Sequence, residues 1–283
     1  MWHGKYHFFD YKYNIAGYSG QDYMSPVQYI MVGIGIAVMI VLLILLRKTK
    51  KQTSKRMLWI MGAVFTSLYI IKTTWESVWD VKTFGEFNIG VLPFDTCSIF
   101  MPALLMAGLA KEDSKLEVVA STFLATVGFA GGVANFIFLR GLNYYPMFSF
   151  GALYSYFWHL AMVFVALYIP ITKFRKFIWW DIFNGNMMVL AAAVVVIPFD
   201  YITTQNFMLL YSAGGIPGVE KLAEKIIAAN LRPFVTLIVL ILYVAVAALM
   251  VSIYIGIPAL INKIKNRKPK EEPVEVQEEK TEA

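Results

Sequence analysis

Long apolar runs alternate with short charged connections along this chain. A helix needs about 20 residues to cross a hydrocarbon core of about 30 Å. Stretches of that kind fall at 27–46, 57–79, 93–110, 118–139, 149–170, 184–202 and 233–262. The pattern predicts an all-α polytopic membrane protein, a bundle of about seven transmembrane helices. The first run follows an aromatic-rich polar lead, Met1 to Ser25. It is too long for a signal-peptide core and lacks the small-residue cleavage pattern after it, so it is expected to be a retained span.

The connections set the expected orientation. Arg47, Lys48, Lys50, Lys51, Lys55 and Arg56 fill the first, Lys111 and Lys115 the third, and Lys173, Arg175 and Lys176 the fifth, with a further basic group after 262. The other side carries fewer: Lys5, Lys12, Lys82, Arg140, Lys221, Lys225 and Arg232. The bias predicts an external amino terminus and a cytoplasmic carboxyl terminus in a multi-pass plasma-membrane protein. Three parts follow: an external amino-terminal segment (1–26), the transmembrane domain (27–262) and a charged, Pro-containing tail (263–283) expected to be disordered. In the connection 203–232, Val219, Leu222, Ile226 and Ile227 share one helical face, so an amphipathic external helix is expected over about 219–231. It reads either as a mobile lid over a lipid-facing site or, more simply, as an interfacial anchor.

Composition agrees with lipid as the solvent: 58% of the 283 residues are hydrophobic and only 16% charged, and mean hydropathy is +0.60. A net charge of +6 would be compatible with a nucleic-acid partner, but the basic residues sit beside the apolar runs, where membrane topology accounts for them. The single cysteine, Cys97, excludes an intramolecular disulfide and a multi-cysteine metal site. No cofactor or metal is expected.

Ionisable groups inside spans are costly and mark functional sites by default. In "YIIKTTWESVWD", Lys72, Glu76 and Asp80 lie at successive i,i+4 positions on one face, either an ion pair that fixes helix packing or part of a site. The third run opens with "LPFDTCSIF", which places Pro93 in a first helical turn and Asp95 and Cys97 just after it. Pro102 removes the amide that would bond the Ser98 carbonyl. A buried cysteine is commonly a small apolar filler and becomes reactive only in a particular setting. His159 lies among aromatic and aliphatic residues in "YSYFWHLAMVF"; Asp200 and Asn206 lie in "IPFDYITTQNFMLL", where either orients an imidazole or caps a helix end. The predicted topology brings Glu76, Cys97, His159, Asp200 and Asn206 to the outer half of the bilayer. At about 1.5 Å per residue, however, His159 would sit several ångströms deeper than Cys97.

"LPFDTC", the "WE" late in the second run, the histidine midway along the fifth and "NFMLL" after the sixth resemble the YwaF-type bacterial integral membrane proteins related to transmembrane protein 164. The similarity covers most of residues 30–262. It implies a cysteine-dependent acyltransferase that moves a fatty acyl chain between phospholipids, with Cys97 as nucleophile, His159 as base, and Glu76 and Asn206 as matching motif residues. A more distant likeness to membrane-embedded hydrolases of fatty-acid esters of hydroxy fatty acids implies related chemistry. Asp95 and Asn135 depart from the pattern. A carboxylate two residues from the thiol disfavours the thiolate unless it faces away or is offset by a protonated His159.

The expected function is therefore a membrane-embedded phospholipid acyltransferase, or a lipid hydrolase, working through a Cys97 thioester on a phospholipid or lysophospholipid, with Glu76, Asp200 or Asn206 orienting the imidazole or polarising the carbonyl. The alternatives are a transporter or proton pathway through Lys72, Glu76 and His159, and a seven-helix scaffold without chemistry. No internal repeat of the kind transporters show is evident between the halves.

Overall fold

In lipid every backbone amide must find its partner within its own segment, so the apolar runs have little choice but to be helical. The computed structural model of the chain describes residues 7–10, 26–138, 145–146, 148–213 and 219–265. In chain order its helices are α1 (Pro26–Leu46), α2 (Lys51–Phe84), α3 (Phe100–Leu109), α4 (Lys115–Ala125), α5 (Val127–Phe138), α6 (Phe150–Ile171), α7 (Asp181–Thr203), α8 (Val219–Ala228) and α9 (Arg232–Lys265). Short 3₁₀ turns occupy Ile89–Val91 and Phe207–Leu209, and no strand occurs among the described residues. The predicted all-α membrane bundle is the observed one.

Six helical segments are long and apolar enough to cross a membrane, with α4 and α5 counted together over Lys115–Ile137. The break between them falls at Thr126, whose backbone leaves helical geometry while its hydroxyl donates to the Thr122 carbonyl at 2.7 Å. The third predicted run does not become a seventh long helix. Residues 92–99 form bends and turns, and only the 10 residues of α3 are helical. The placement of Pro93 in a first helical turn is therefore corrected: it lies in a turn ahead of the helix. Pro102 acts as expected, because the Ser98 carbonyl takes the amide of Met101 at 3.3 Å in a tighter bond instead.

Lipid is the natural partner of the outer surface. Ile30, Ile34, Val41 and Leu45 of α1 are exposed, as are Val194 and Ile202 of α7, while Phe100, Leu104, Phe123, Leu124 and Met162 are fully buried at the centre. Small residues let α2 and α3 approach closely. A Cβ added at Gly108 would stand 2.5 Å from the Trp59 amide nitrogen and 2.7 Å from the Lys55 carbonyl oxygen, both backbone atoms. Gly108→Ala is accordingly expected to force the two helices apart at a cost of about 1–3 kcal/mol, read as a lowered Tm in detergent; an unchanged Tm would show the interface to be looser than drawn.

At the basic end, where α1 meets α2 and α3 meets α4, Glu117 gathers the chain. Its carboxylate accepts from Lys55 at 2.8 Å and from the Asp113 amide at 2.8 Å, and pairs with Lys51 at 3.2 Å, while Ser114 caps α4. Lys51, bonded to Asp113, holds that exposed carboxyl below its ordinary range. Glu117 and Lys55 are buried, so this pair ties α2 to α4 at the point from which α3 departs.

The amphipathic helix expected over about 219–231 is present as α8. Val219, Ile226 and Ile227 pack against the bundle core, Ala223 is buried, and Leu222 is left outside. Most of the apolar face is thus satisfied by protein. Helix α9 continues through Lys263 to Lys265, into the stretch assigned to the tail; residues 266–283 lie outside those described. Within the amino-terminal segment, the Phe9 carbonyl accepts from the indoles of Trp75 and Trp79 at 3.0 and 3.2 Å, and the Phe8 carbonyl accepts the Phe150 amide at 2.8 Å. These bonds dock residues 7–10 on the ends of α2 and α6.

Candidate functional site

Because the chain before α3 is not helical, its side chains are directed by turns rather than by helix periodicity. Ser98 donates its amide to the Asp95 carbonyl at 2.8 Å, and Phe100 donates to the Cys97 carbonyl at 3.2 Å. Cys97 sits between these two turns. The segment is pinned from several sides: the Tyr69 hydroxyl donates to the Val91 carbonyl at 2.9 Å, Thr96 is hydrogen-bonded to the Tyr243 hydroxyl, and Phe94 packs edge-on against Phe199 and Phe207.

These turns open on a cavity of about 890 Å³, lined by residues of α2, α5, α6 and α9, by the connections ahead of α3 and after α7, and by Tyr145 ahead of α6. Its size is that of a small-molecule site. Lys72, Glu76, Asp95, Cys97, His159 and Asn206 all line it. Asp200 does not. Cys97 and His159, expected at different depths, line this one cavity.

His159 is buried on α6, and its Nδ1 lies 2.6 Å from the Ser155 carbonyl oxygen. A carbonyl only accepts, so Nδ1 carries the proton and Nε2 keeps its lone pair. The expectation that Glu76, Asp200 or Asn206 orients the ring is replaced by this backbone contact. Glu76 instead accepts from Lys72 and from the Tyr145 hydroxyl. The carboxylate of Asp200 accepts the Phe207 amide at 3.1 Å. The Asn206 side chain accepts the amides of Tyr211 and Ser212 at 3.0 and 2.9 Å. The last two residues therefore shape the connection after α7, which closes one side of the cavity. Asp80, third in the i,i+4 series, is buried and does not line the cavity, and neither of its carboxylate oxygens has a hydrogen-bond partner among the described residues.

Asp95 does not turn away from the site. It opens onto the same cavity as Cys97, and the Met208 amide meets its carboxylate. Met208 and Leu209 hold left-handed backbone, φ 52° and 61°, which costs of order 1–3 kcal/mol per residue. The Met208 carbonyl in turn accepts from Tyr243 at 3.1 Å, so this turn is clamped between α9 and the segment that carries the thiol.

Sequence reasoning passed over the glycines of "AGGVAN" on α5. A Cβ at Gly131 would meet Met162 Cε at 3.2 Å and Cys97 Sγ at 3.8 Å, and one at Gly132 would stand 3.0 Å from the His159 carbonyl oxygen. The pair lets α5 pass close to both the thiol and the helix that carries the imidazole. Consecutive glycines within an apolar span were the available signal. Tyr69, Tyr154, Trp158 and Tyr243 also line the cavity, and in a chain with 16 tyrosines and 7 tryptophans nothing in the sequence set them apart. Among the described residues no cluster of three or more His, Cys, Asp or Glu side chains has the form of a metal site.

Comparison with curated proteins and with solved structures returned no match. The profile of the TMEM164 family matches residues 23–254, which include every element that lines the cavity, and the chain therefore belongs to the TMEM164 family of membrane proteins.

Proposed function

We propose that this protein is a membrane-embedded lipid acyltransferase that carries the acyl group on Cys97 and uses His159 as its base. The observation that carries the reading is that the chain's one cysteine and a buried histidine with an unprotonated Nε2 line the same cavity. A thiol is a competent nucleophile once a neighbouring base removes its proton, and an imidazole is suited to take that proton and to return it to the leaving alcohol. The apolar surroundings, Val127, Leu242 and Val246 among them, suit an acyl chain. Its polar lining, Glu76, Asp95 and Asn206 among it, suits a glycerophospholipid headgroup and ester. By the charge bias of the connections the cavity faces the external half of the plasma membrane, so the substrate enters from that leaflet. Hydrolysis of the thioester by water competes with transfer to a second lipid alcohol.

The test uses purified full-length protein in phospholipid nanodiscs containing phosphatidylcholine with a fluorescent acyl chain. A covalent fluorescent adduct is expected that hydroxylamine releases and that peptide mapping locates on Cys97. No adduct, or one that resists hydroxylamine, overturns the reading.

A further inference from the structure

Attack of a thiolate on an ester pushes the carbonyl π electrons onto oxygen, and a site that makes this easy supplies donors to that oxygen before it becomes charged. The Cys97 amide has no backbone acceptor among the described residues. One amide is a partial answer, and the cavity holds a second donor. The Tyr154 hydroxyl is buried and makes no hydrogen bond among the described residues, although Tyr154 lines the cavity together with Cys97 and His159. A buried hydroxyl without a partner is a net cost to the fold and calls for a reason.

Two neighbours hold its position. The ring packs on Trp158 with centroids 5.3 Å apart, and the Lys72 ammonium lies 5.6 Å from the ring centroid. The other cavity tyrosines have their hydroxyls engaged: Tyr69 with Val91, Tyr243 with Thr96 and Met208, Tyr145 with Glu76. Tyr154 is left as the phenol able to receive a new acceptor without giving one up.

We propose that the Tyr154 hydroxyl, with the Cys97 amide, forms the oxyanion hole of the acyl transfer, so that Tyr154 is a third catalytic residue beside Cys97 and His159. The proposal rests on the acyltransferase reading. In the step it serves, the Cys97 thiol proton passes to His159 Nε2 and Sγ bonds to the ester carbonyl carbon. The carbonyl π pair moves to oxygen, which accepts from Tyr154 and the Cys97 amide. Collapse re-forms the carbonyl and breaks the bond to the lysolipid oxygen, which takes the proton from His159 and leaves the thioester.

Tyr154→Phe removes one oxygen that has no hydrogen-bond partner among the described residues and keeps the ring, so the packing of the ring is retained. Two rates are measured in nanodiscs for wild type and variant: formation of the hydroxylamine-labile adduct from fluorescent phosphatidylcholine, and alkylation of Cys97 by iodoacetamide, a displacement in which no oxyanion develops. Acylation is expected to fall by about 10²- to 10³-fold with alkylation unchanged. Equal acylation rates in wild type and variant overturn the oxyanion role while the thioester reading stands. Acylation and alkylation falling together also overturn it, since Tyr154 would then be shaping the thiol's surroundings. If wild type itself forms no adduct, the acyltransferase reading fails and this proposal fails with it.

Discussion

Cys97→Ala will form no hydroxylamine-labile acyl adduct when presented with fluorescent phosphatidylcholine, while its helical content and its behaviour on size exclusion stay those of wild type. The side chain is small and lies among turns; the change therefore removes the proposed nucleophile with little effect on packing. Adduct formation by Cys97→Ala at the wild-type level would show that the acyl group rides on another residue or is bound without a covalent step. Phospholipid flux across liposomes that persists in Cys97→Ala and is lost in Glu76→Gln would favour a transport pathway.

The second large effect is expected at His159. Replacement by Gln keeps a polar side chain of similar reach and removes the base, so the acylation rate should fall by about 10²- to 10⁴-fold, the range general-base catalysis supplies. The site is arranged for that role by a contact that no side-chain mutation can touch. The Ser155 carbonyl holds the Nδ1 proton at 2.6 Å, which fixes the tautomer as effectively as a carboxylate would while adding no charge to a low-dielectric site. It follows that Ser155→Ala should be far milder than His159→Gln, because the bond that matters is to the backbone. Single-turnover labelling compares the two directly. A His159→Gln rate close to that of wild type would remove the histidine from the mechanism.

Much of this arrangement could be read in the sequence because the solvent is lipid. A charged or titratable residue within an apolar run is expensive, and that cost singled out Lys72, Glu76 and His159 before any contact was known; Cys97 joined them through the family resemblance. All four line one cavity. Where inference fell short, the cause is backbone geometry. Hydropathy reports that residues 93–110 are apolar but not that the first part of the run is turn rather than helix. Pro93 and Pro102 were visible, yet a proline at the start of a run is compatible with either. Asp200 and Asn206 were candidates to orient an imidazole because they carry the right atoms near the right depth. The left-handed conformations at Thr204, Met208 and Leu209 turn the chain so that both bind loop amides instead, and ordinary residues adopting positive φ leave no compositional trace. Tyr154 was hidden for a third reason: a phenol becomes noticeable only once every other phenol around it is accounted for.

The shortened third helix has a consequence for chemical yield. Backbone amides outside a helix survive at membrane depth only where protein or water receives them, and the turns that carry Cys97 do so beside a cavity lined by Asn88, Ser98, Gln205 and Asn206. The irregular backbone that frees the thiol from a helix wall thus also invites hydration next to the proposed Cys97 thioester. How often an acyl group is lost to water for each one delivered should then be governed by how completely the incoming lipid fills those 890 Å³, which would make chain length a determinant of fidelity as well as of binding.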